Sequence, residues 1–350
     1  MKRFFNFMLI LVIASMLFFI GCKGDKKAAT AASDDSITGK IMIYTSMYED
    51  IIEAITKVLE KKFPNCNIEF FYGGTGTIQA KIAAEITANK LGCDMLMVAE
   101  PSYALELKEK GMLHPYLSKE APNLAFDYDK EGYWFPVRIS NMILAYNPEK
   151  NAKDSIPNSF YDFAFDTKVG GAVSMSNPLT SGTAMAAVTA FKDKYGYEYF
   201  EALGKQKVMI ESGGVALTKL ETGECKVIMV LEESVLKKRQ EEGSKLEVIY
   251  PTDGTLVVPS TIMTINDQWN ANKNTAAAQV ITDWFLGPDG QNVIVDAWMH
   301  SVRANHPKLP FDAISTNDIR SNSMPVNWEN VFRQREEIRT KFEEFVNKKK

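Results

Sequence analysis

Residues 40–99 read KIMIYTSMYEDIIEAITKVLEKKFPNCNIEFFYGGTGTIQAKIAAEITANKLGCDMLMVA, and their periodicity changes four times. KIMIYT is a short β-type run. EDIIEAITKVLEKKF then places Ile51, Ile52, Ile55, Val58 and Leu59 on one face of a helix. NIEFFY is a second strand, TIQAKIAAEITANKL a second helix and DMLMVA a third strand, followed by a helix in PSYALELKEKG that stops at Gly111. Strand–helix alternation of this kind implies a parallel sheet covered by helices on both faces.

Working outward, a second series begins near Pro148. GGAVSMS, KVMIES and CKVIMVLEE read as strands, SGTAMAAVTAFKDKYG, GGVALTKLETGE and SVLKKRQEEG as helices, and LEVIYP closes the series. Two long β-type runs flank it, YWFPVRISNMILAYN before and TLVVPSTIMTIN after. They read as hinge strands, near 138–147 and 255–264, running out to a second lobe and back. The first lobe is then discontinuous, residues 37–138 plus 264–350, and the second spans 147–255. A chain of 350 residues is longer than one hydrophobic core usually organises, which agrees with two lobes.

At the N-terminus, Lys2 and Arg3 precede an apolar run from Phe4 to Ile20, the pattern of a secretion signal over residues 1–21. Phe19-Ile20-Gly21-Cys22 resembles the bacterial lipobox, which implies cleavage before Cys22 and lipidation of its thiol. Residues 22–36 are small, polar and charged and read as a flexible tether, so the folded part is expected to start near Ile37. The expected location is the periplasmic side of a membrane, with the lipid as anchor.

With 40 basic and 44 acidic residues the net charge is −4, which points to no nucleic-acid partner. Cys66, Cys93 and Cys225 each precede a strand, at the sheet edge opposite to the one where ligands sit in open α/β folds. The second and third strands are expected on either side of the first, too far apart for a disulfide, so three buried free thiols are predicted. His114, His300 and His306 form no set with a nucleophile, and neither HExxH nor CxxC occurs. Enzymatic chemistry is therefore not expected, and no cofactor.

Three segments put small residues between a strand end and a helix start: Gly73-Gly74-Thr75-Gly76-Thr77, Asn177 to Thr183 with Thr180, Ser181 and Gly182, and Ser212-Gly213-Gly214. Helix N-termini offer unpaired N–H groups, and glycine admits a ligand oxygen close to the backbone, so these are anion cradles. GGTGT lacks the Lys-Ser/Thr ending of a nucleotide P-loop. Arg138 is the natural counter-charge. Thr45 and Ser46 could donate hydroxyls, Glu100 ends the third strand, and Tyr133, Trp134 and Phe135 could wall a cleft. Glu232 and Glu233 follow CKVIMVL directly and are expected at the ligand edge.

IYTSMYED, FFYGGTGTIQAKI, VRISNMILAYNP, SNPLTSGTA, ESGGVALTKLETGE, VIMVLEES, FLGPDGQ with VRANHP, and the terminal NWENVFRQREEIRTKFEEF run in order along the chain. In that order the chain resembles the ferric-ion, phosphonate and sugar-phosphate branch of bacterial periplasmic substrate-binding proteins. The resemblance implies a type II two-lobed α/β fold, each lobe a mostly parallel sheet flanked by helices, and a monomeric receptor serving the permease and ATPase subunits of an ABC importer. It implies a small ligand, a phosphorylated or phosphonate-type anion, or alternatively ferric iron with a co-bound anion. Ferric members hold the metal with a tyrosine pair at about the place of Glu232 and Glu233. Here carboxylates stand there, and with Tyr48 or Tyr44 they would have to supply the anionic oxygen that iron prefers. A surface antigen or adhesin, sharing the anchor without needing a cleft, is the third reading.

Overall fold

The computed structural model describes residues 34–346. The secretion signal, Cys22 and nearly all of the tether lie outside the described residues. Ile37 is already buried in the core, and the Asp34 N–H donates to the Lys62 carbonyl at 2.6 Å. Among the described residues no helix is long and apolar enough to cross a membrane.

The chain runs β1 (Gly39–Thr45), α1 (Glu49–Lys62), β2 (Cys66–Tyr72), α2 (Thr75–Thr87), β3 (Met95–Ala99), α3 (Ser102–Glu109) and the long β4 (Phe135–Tyr146). It continues with α4 (Phe160–Phe165), β5 (Val173–Met175), α5 (Gly182–Tyr195), α6 (Glu198–Lys205), β6 (Met209–Ile210), α7 (Gly213–Thr222), β7 (Val227–Leu231), α8 (Glu232–Glu242), β8 (Glu247–Ile249) and β9 (Leu256–Thr264). The described chain closes on α9 (Thr275–Leu286), α10 (Pro288–Asp296), α11 (Thr316–Ser321), α12 (Trp328–Arg333) and α13 (Arg335–Phe345).

The strands form one sheet in the order β2-β1-β3-β9-β4-β7-β5-β6, with β8 beside β4. β1 pairs in parallel with β2 and β3, and β5 in parallel with β6 and β7. Between these parallel groups run β4 and β9, antiparallel to each other from Phe135↔Ile262 to Met142↔Leu256. Every residue of β4 is buried, as a strand covered on both faces requires. These are the two hinge strands, and the architecture is the two-lobed mixed α/β arrangement expected.

Each half has an apolar cluster on both faces of its sheet. In the first half, Ile41, Ile43, Phe63 and Phe285 pack on one face and Ile78, Leu96, Val98 and Tyr103 on the other. In the second half, Phe160, Phe191 and Phe200 lie on one face and Leu217, Ile228 and Val235 on the other. Val331, Ile338 and Phe342 of the terminal helices join the Phe160 cluster. The apolar side chains from Met324 onward thus join the second-lobe core, while Arg335 pairs with Glu106 of α3 at 2.6 Å, so the terminal helices touch both lobes, where the sequence assigned all of 264–350 to the first. The amphipathic face of α12 and α13 completes the core left open beside α5 and α6.

Cys66, Cys93 and Cys225 are free and buried. Burial pushes the Cys93 thiol well above its ordinary range. β2 and β3 flank β1, as the spacing argument required.

Candidate functional site

All three small-residue segments arrive at one edge, where strands end and helices begin. Gly74 caps α2, Ser181 caps α5 and Ser212 caps α7. Both serine hydroxyls accept from their helices, Ser181 from the Ala184 N–H at 3.2 Å and Ser212 from the Val215 N–H at 3.4 Å. Capping uses an oxygen lone pair and leaves the O–H hydrogen to donate. The three segments, with Arg138, surround a cavity of about 480 Å³, within the range of small-molecule sites.

Ser46, Gly74, Thr75, Thr77, Arg138, Asn177, Thr180, Ser181, Gly182, Thr183, Ser212 and Gly213 line this cavity. The lobes meet across it: the Gly76 N–H donates to the Thr180 carbonyl at 3.1 Å. Gly182 packs so closely on the first lobe that an added Cβ would lie 2.9 Å from the Ala99 carbonyl oxygen.

Arg138 is the one cation among the described residues that lines it, only 5% exposed. One terminal nitrogen faces Met299 Sδ at 3.0 Å and Ser140 Oγ at 3.4 Å, the other faces Ser46 Oγ at 3.5 Å, and Nε has no partner among the described residues. These are long or soft contacts for a guanidinium, which forms its strongest bonds with paired anionic oxygens. Burial lowers the pKa of Arg138, and the charges of Glu233 and Tyr48 act in the opposite sense. Arg138 forms no ion pair among the described residues, so a buried cation sits in a polar cavity with its fork incompletely satisfied.

Several expected residues lie elsewhere. The Thr45 hydroxyl donates to the Met97 carbonyl at 3.0 Å and braces two strands instead of facing the cavity. The Gly76 N–H is taken by Thr180. Gly214, one residue inside α7, faces a neighbouring cavity. Glu232 is turned into the hinge: its Oε2 accepts from Asn141 Nδ2 and faces His300 Nε2, both at 3.0 Å, and its Oε1 accepts from the Tyr250 hydroxyl. As the first residue of α8, it points off the strand direction that its place after CKVIMVL suggested. Glu233 is buried, accepts from the Ser140 hydroxyl at 2.8 Å, and also borders the neighbouring cavity.

Glu100 bends back to accept from the Ser102 N–H at 2.6 Å. Trp134 and Phe135 pack in the first-lobe core. The Tyr44 hydroxyl donates to Glu85 at 2.9 Å, whereas Tyr48 does border the cavity.

Other wall residues lie inside the quoted motifs but were not singled out as ligand residues, notably Tyr72, Ser140, Ser176 and Glu211. Ser140 shares a strand face with Arg138 by the period of two, and Ser176 directly precedes Asn177. Those were the available signals. Glu211 brings a carboxylate into the cavity wall, held by Lys219 Nζ at 2.6 Å.

The comparisons with known proteins agree with the fold. The family model described as "Bacterial extracellular solute-binding protein" matches residues 54–302. An uncharacterised protein of Haemophilus influenzae is 23% identical over 274 residues, 74% of this chain and 75% of its own. Among solved structures, the periplasmic binding protein AfuA of Actinobacillus pleuropneumoniae, with fructose-6-phosphate bound, superposes with a TM-score of 0.77 at 21% identity. The match covers 89% of this chain and 100% of that one. Iron-bound HitA of Pseudomonas aeruginosa gives 0.75 at 19% identity, covering 87% of this chain and 99% of its own. The chain belongs to the bacterial extracellular solute-binding proteins.

Proposed function

We propose that this chain is the lipid-anchored, non-enzymatic receptor of an ABC importer and captures a small anion, phosphorylated or phosphonate-type, between its lobes. One observation carries the reading: Arg138 is buried at the cavity with no ion pair among the described residues, facing three helix N-termini. Helix starts and hydroxyls supply hydrogen-bond donors, and a guanidinium grips two oxygens of a phosphoryl group at once. AfuA shares the fold and carries a sugar phosphate, which is consistent with this ligand class.

The ferric alternative draws on the iron-bound relative and on Tyr48 at the cavity wall. It is weaker here because both oxygens of Glu232 are engaged in the hinge. Burial, and after it the Glu233 charge, raises the Tyr48 pKa, so a metal would have to displace a firmly held proton. Backbone N–H groups cannot ligate a cation.

The test is thermal melting of the protein from Ile37 onward against sugar phosphates, phosphonates, inorganic phosphate and ferric citrate. A ligand that binds only the folded state raises the midpoint by mass action. A saturating rise with an organophosphate or phosphonate and none with iron is expected. A rise and visible colour with ferric salts alone would establish the metal reading, and no rise with any ligand would favour a surface protein without transport duty.

A further inference from the structure

The terminal helices are attached to the two lobes by different chemistry. The chain crosses back to the second lobe at Met324, whose N–H donates to the Thr255 carbonyl at 2.7 Å beside the start of β9. From there Val331, Ile338 and Phe342 are buried in the second-lobe cluster, and Lys192 Nζ donates to Gln334 Oε1 at 2.6 Å. Among the described residues, neither apolar cluster of the first lobe takes a side chain from α12 or α13.

Toward the first lobe the contacts are polar. Arg335, at the start of α13, is 8% exposed and reaches α3: one terminal nitrogen donates to Glu106 Oε2 at 2.6 Å and the other to Ser102 Oγ at 2.8 Å. Arg333 pairs with Glu109, one turn further along α3. Arg339 reaches Gln79 Oε1 of α2 at 3.3 Å, and the same nitrogen lies 3.5 Å from the Leu179 carbonyl, beside the Gly76–Thr180 bond that joins the lobes.

Buried apolar surface is costly to expose again, whereas polar contacts between lobes exchange for water at small net cost. Two details make the α3 seat easy to leave. Arg335 Nε has no partner among the described residues, so the guanidinium is incompletely satisfied there. Glu106 keeps a second cation when Arg335 withdraws, because its Oε1 accepts from Lys110 Nζ at 2.6 Å.

We infer that α12 and α13 are a latch on cleft closure: they travel with the second lobe, and Arg335 enters the seat formed by Ser102 and Glu106 when the lobes meet and leaves it when they part. Arg335 lies outside the ligand cavity, so the latch sets the balance of open and closed forms without touching the cargo, whichever ligand the cleft takes.

The experiment is single-molecule energy transfer in the ligand-free protein, between dyes on Lys90→Cys and Lys205→Cys. Both sites are exposed and lie shortly before β3 and β6, at the sheet ends away from the cleft, and the buried Cys66, Cys93 and Cys225 stay unlabelled. Arg335→Gln is expected to move the open-to-closed ratio roughly tenfold toward open, the worth of a lost charge-assisted contact, and Arg335→Lys to move it less. Glu106→Gln, which leaves the roots of α12 and α13 in the second lobe intact, should shift the ratio in the same direction and add little to Arg335→Gln. An unchanged ratio in both single variants would make the terminal helices a fixed brace and overturn the latch. So would an opening confined to Arg335→Gln, which would trace to the helices loosening from the second lobe.

Discussion

The Gly76 N–H and the Thr180 carbonyl are joined by a 3.1 Å hydrogen bond that links the first turn of α2 to the loop before α5. It connects the two lobes at the mouth of the cavity and depends on glycine. A Cβ on Gly76 would collide with the Leu179 carbonyl, and one on Gly74 would lie 2.5 Å from the Thr180 oxygen. Gly76→Ala should therefore hold the lobes apart. Ligand affinity is expected to fall at least tenfold with little change in the melting point of the ligand-free protein. Small-angle scattering checks the cause, because the variant should fail to compact when ligand is added.

Arg138→Ala removes the one cation among the described residues that lines the cavity. A lost charge-assisted pair of hydrogen bonds is worth about 3 kcal/mol, so affinity for a phosphorylated ligand should fall by roughly 100-fold. Ser181→Ala removes one donor and a helix cap, with a loss of about tenfold expected and about 1 kcal/mol of stability. Calorimetric titration with circular dichroism as a folding control measures both. Wild-type affinity in both variants would refute this placement of the anion.

Glu100 gives a pH signature. Burial raises its pKa above the ordinary 4.5, against the Arg335 charge and its bond from Ser102. The folded protein thus holds this proton more tightly than the unfolded chain. Its contribution is most favourable below about pH 4.5 and is lost as the pH rises through the folded pKa. Urea denaturation from about pH 4 upward should show Glu100→Gln gaining on the wild type over that window; parallel curves would mean the residue does not titrate there.

At the hinge, Glu232 is held by Asn141, Tyr250 and His300, all contributed by different segments. Removing one donor from a buried carboxylate costs about 1–3 kcal/mol. His300→Ala should lower the urea midpoint accordingly, with partial recovery in His300→Gln. An unchanged midpoint would show that the contact adds nothing to stability.

How far these features were legible in the sequence depended on whether their signal was local. The alternation in residues 40–99 carries its own periodicity, and the three helix starts follow from Gly, Ser and Thr placed after strands, so all three reached the predicted edge. Glu232 was misread because α8 begins at that residue: a strand continued through it would point the carboxylate at the cleft, while the first turn of a helix points it into the hinge. Its partners His300 and Tyr250 are 68 and 18 residues away, and no local pattern announces them. The same holds for Tyr72 and Glu211, whose place in the wall depends on how the two lobes meet. The docking of α12 and α13 on the second lobe was likewise invisible, since an amphipathic helix declares that it has a buried face without saying what covers it.

The cradle is divided between the lobes, with the start of α2 on one side of β4 and β9 and the starts of α5 and α7 on the other. Under the proposed function, a cargo gripped by all three would act as a rivet between the halves, and its residence time would follow how often those two strands flex. Unloading would then be mechanical, because a docking partner that bent β4 and β9 would free the cargo without touching it.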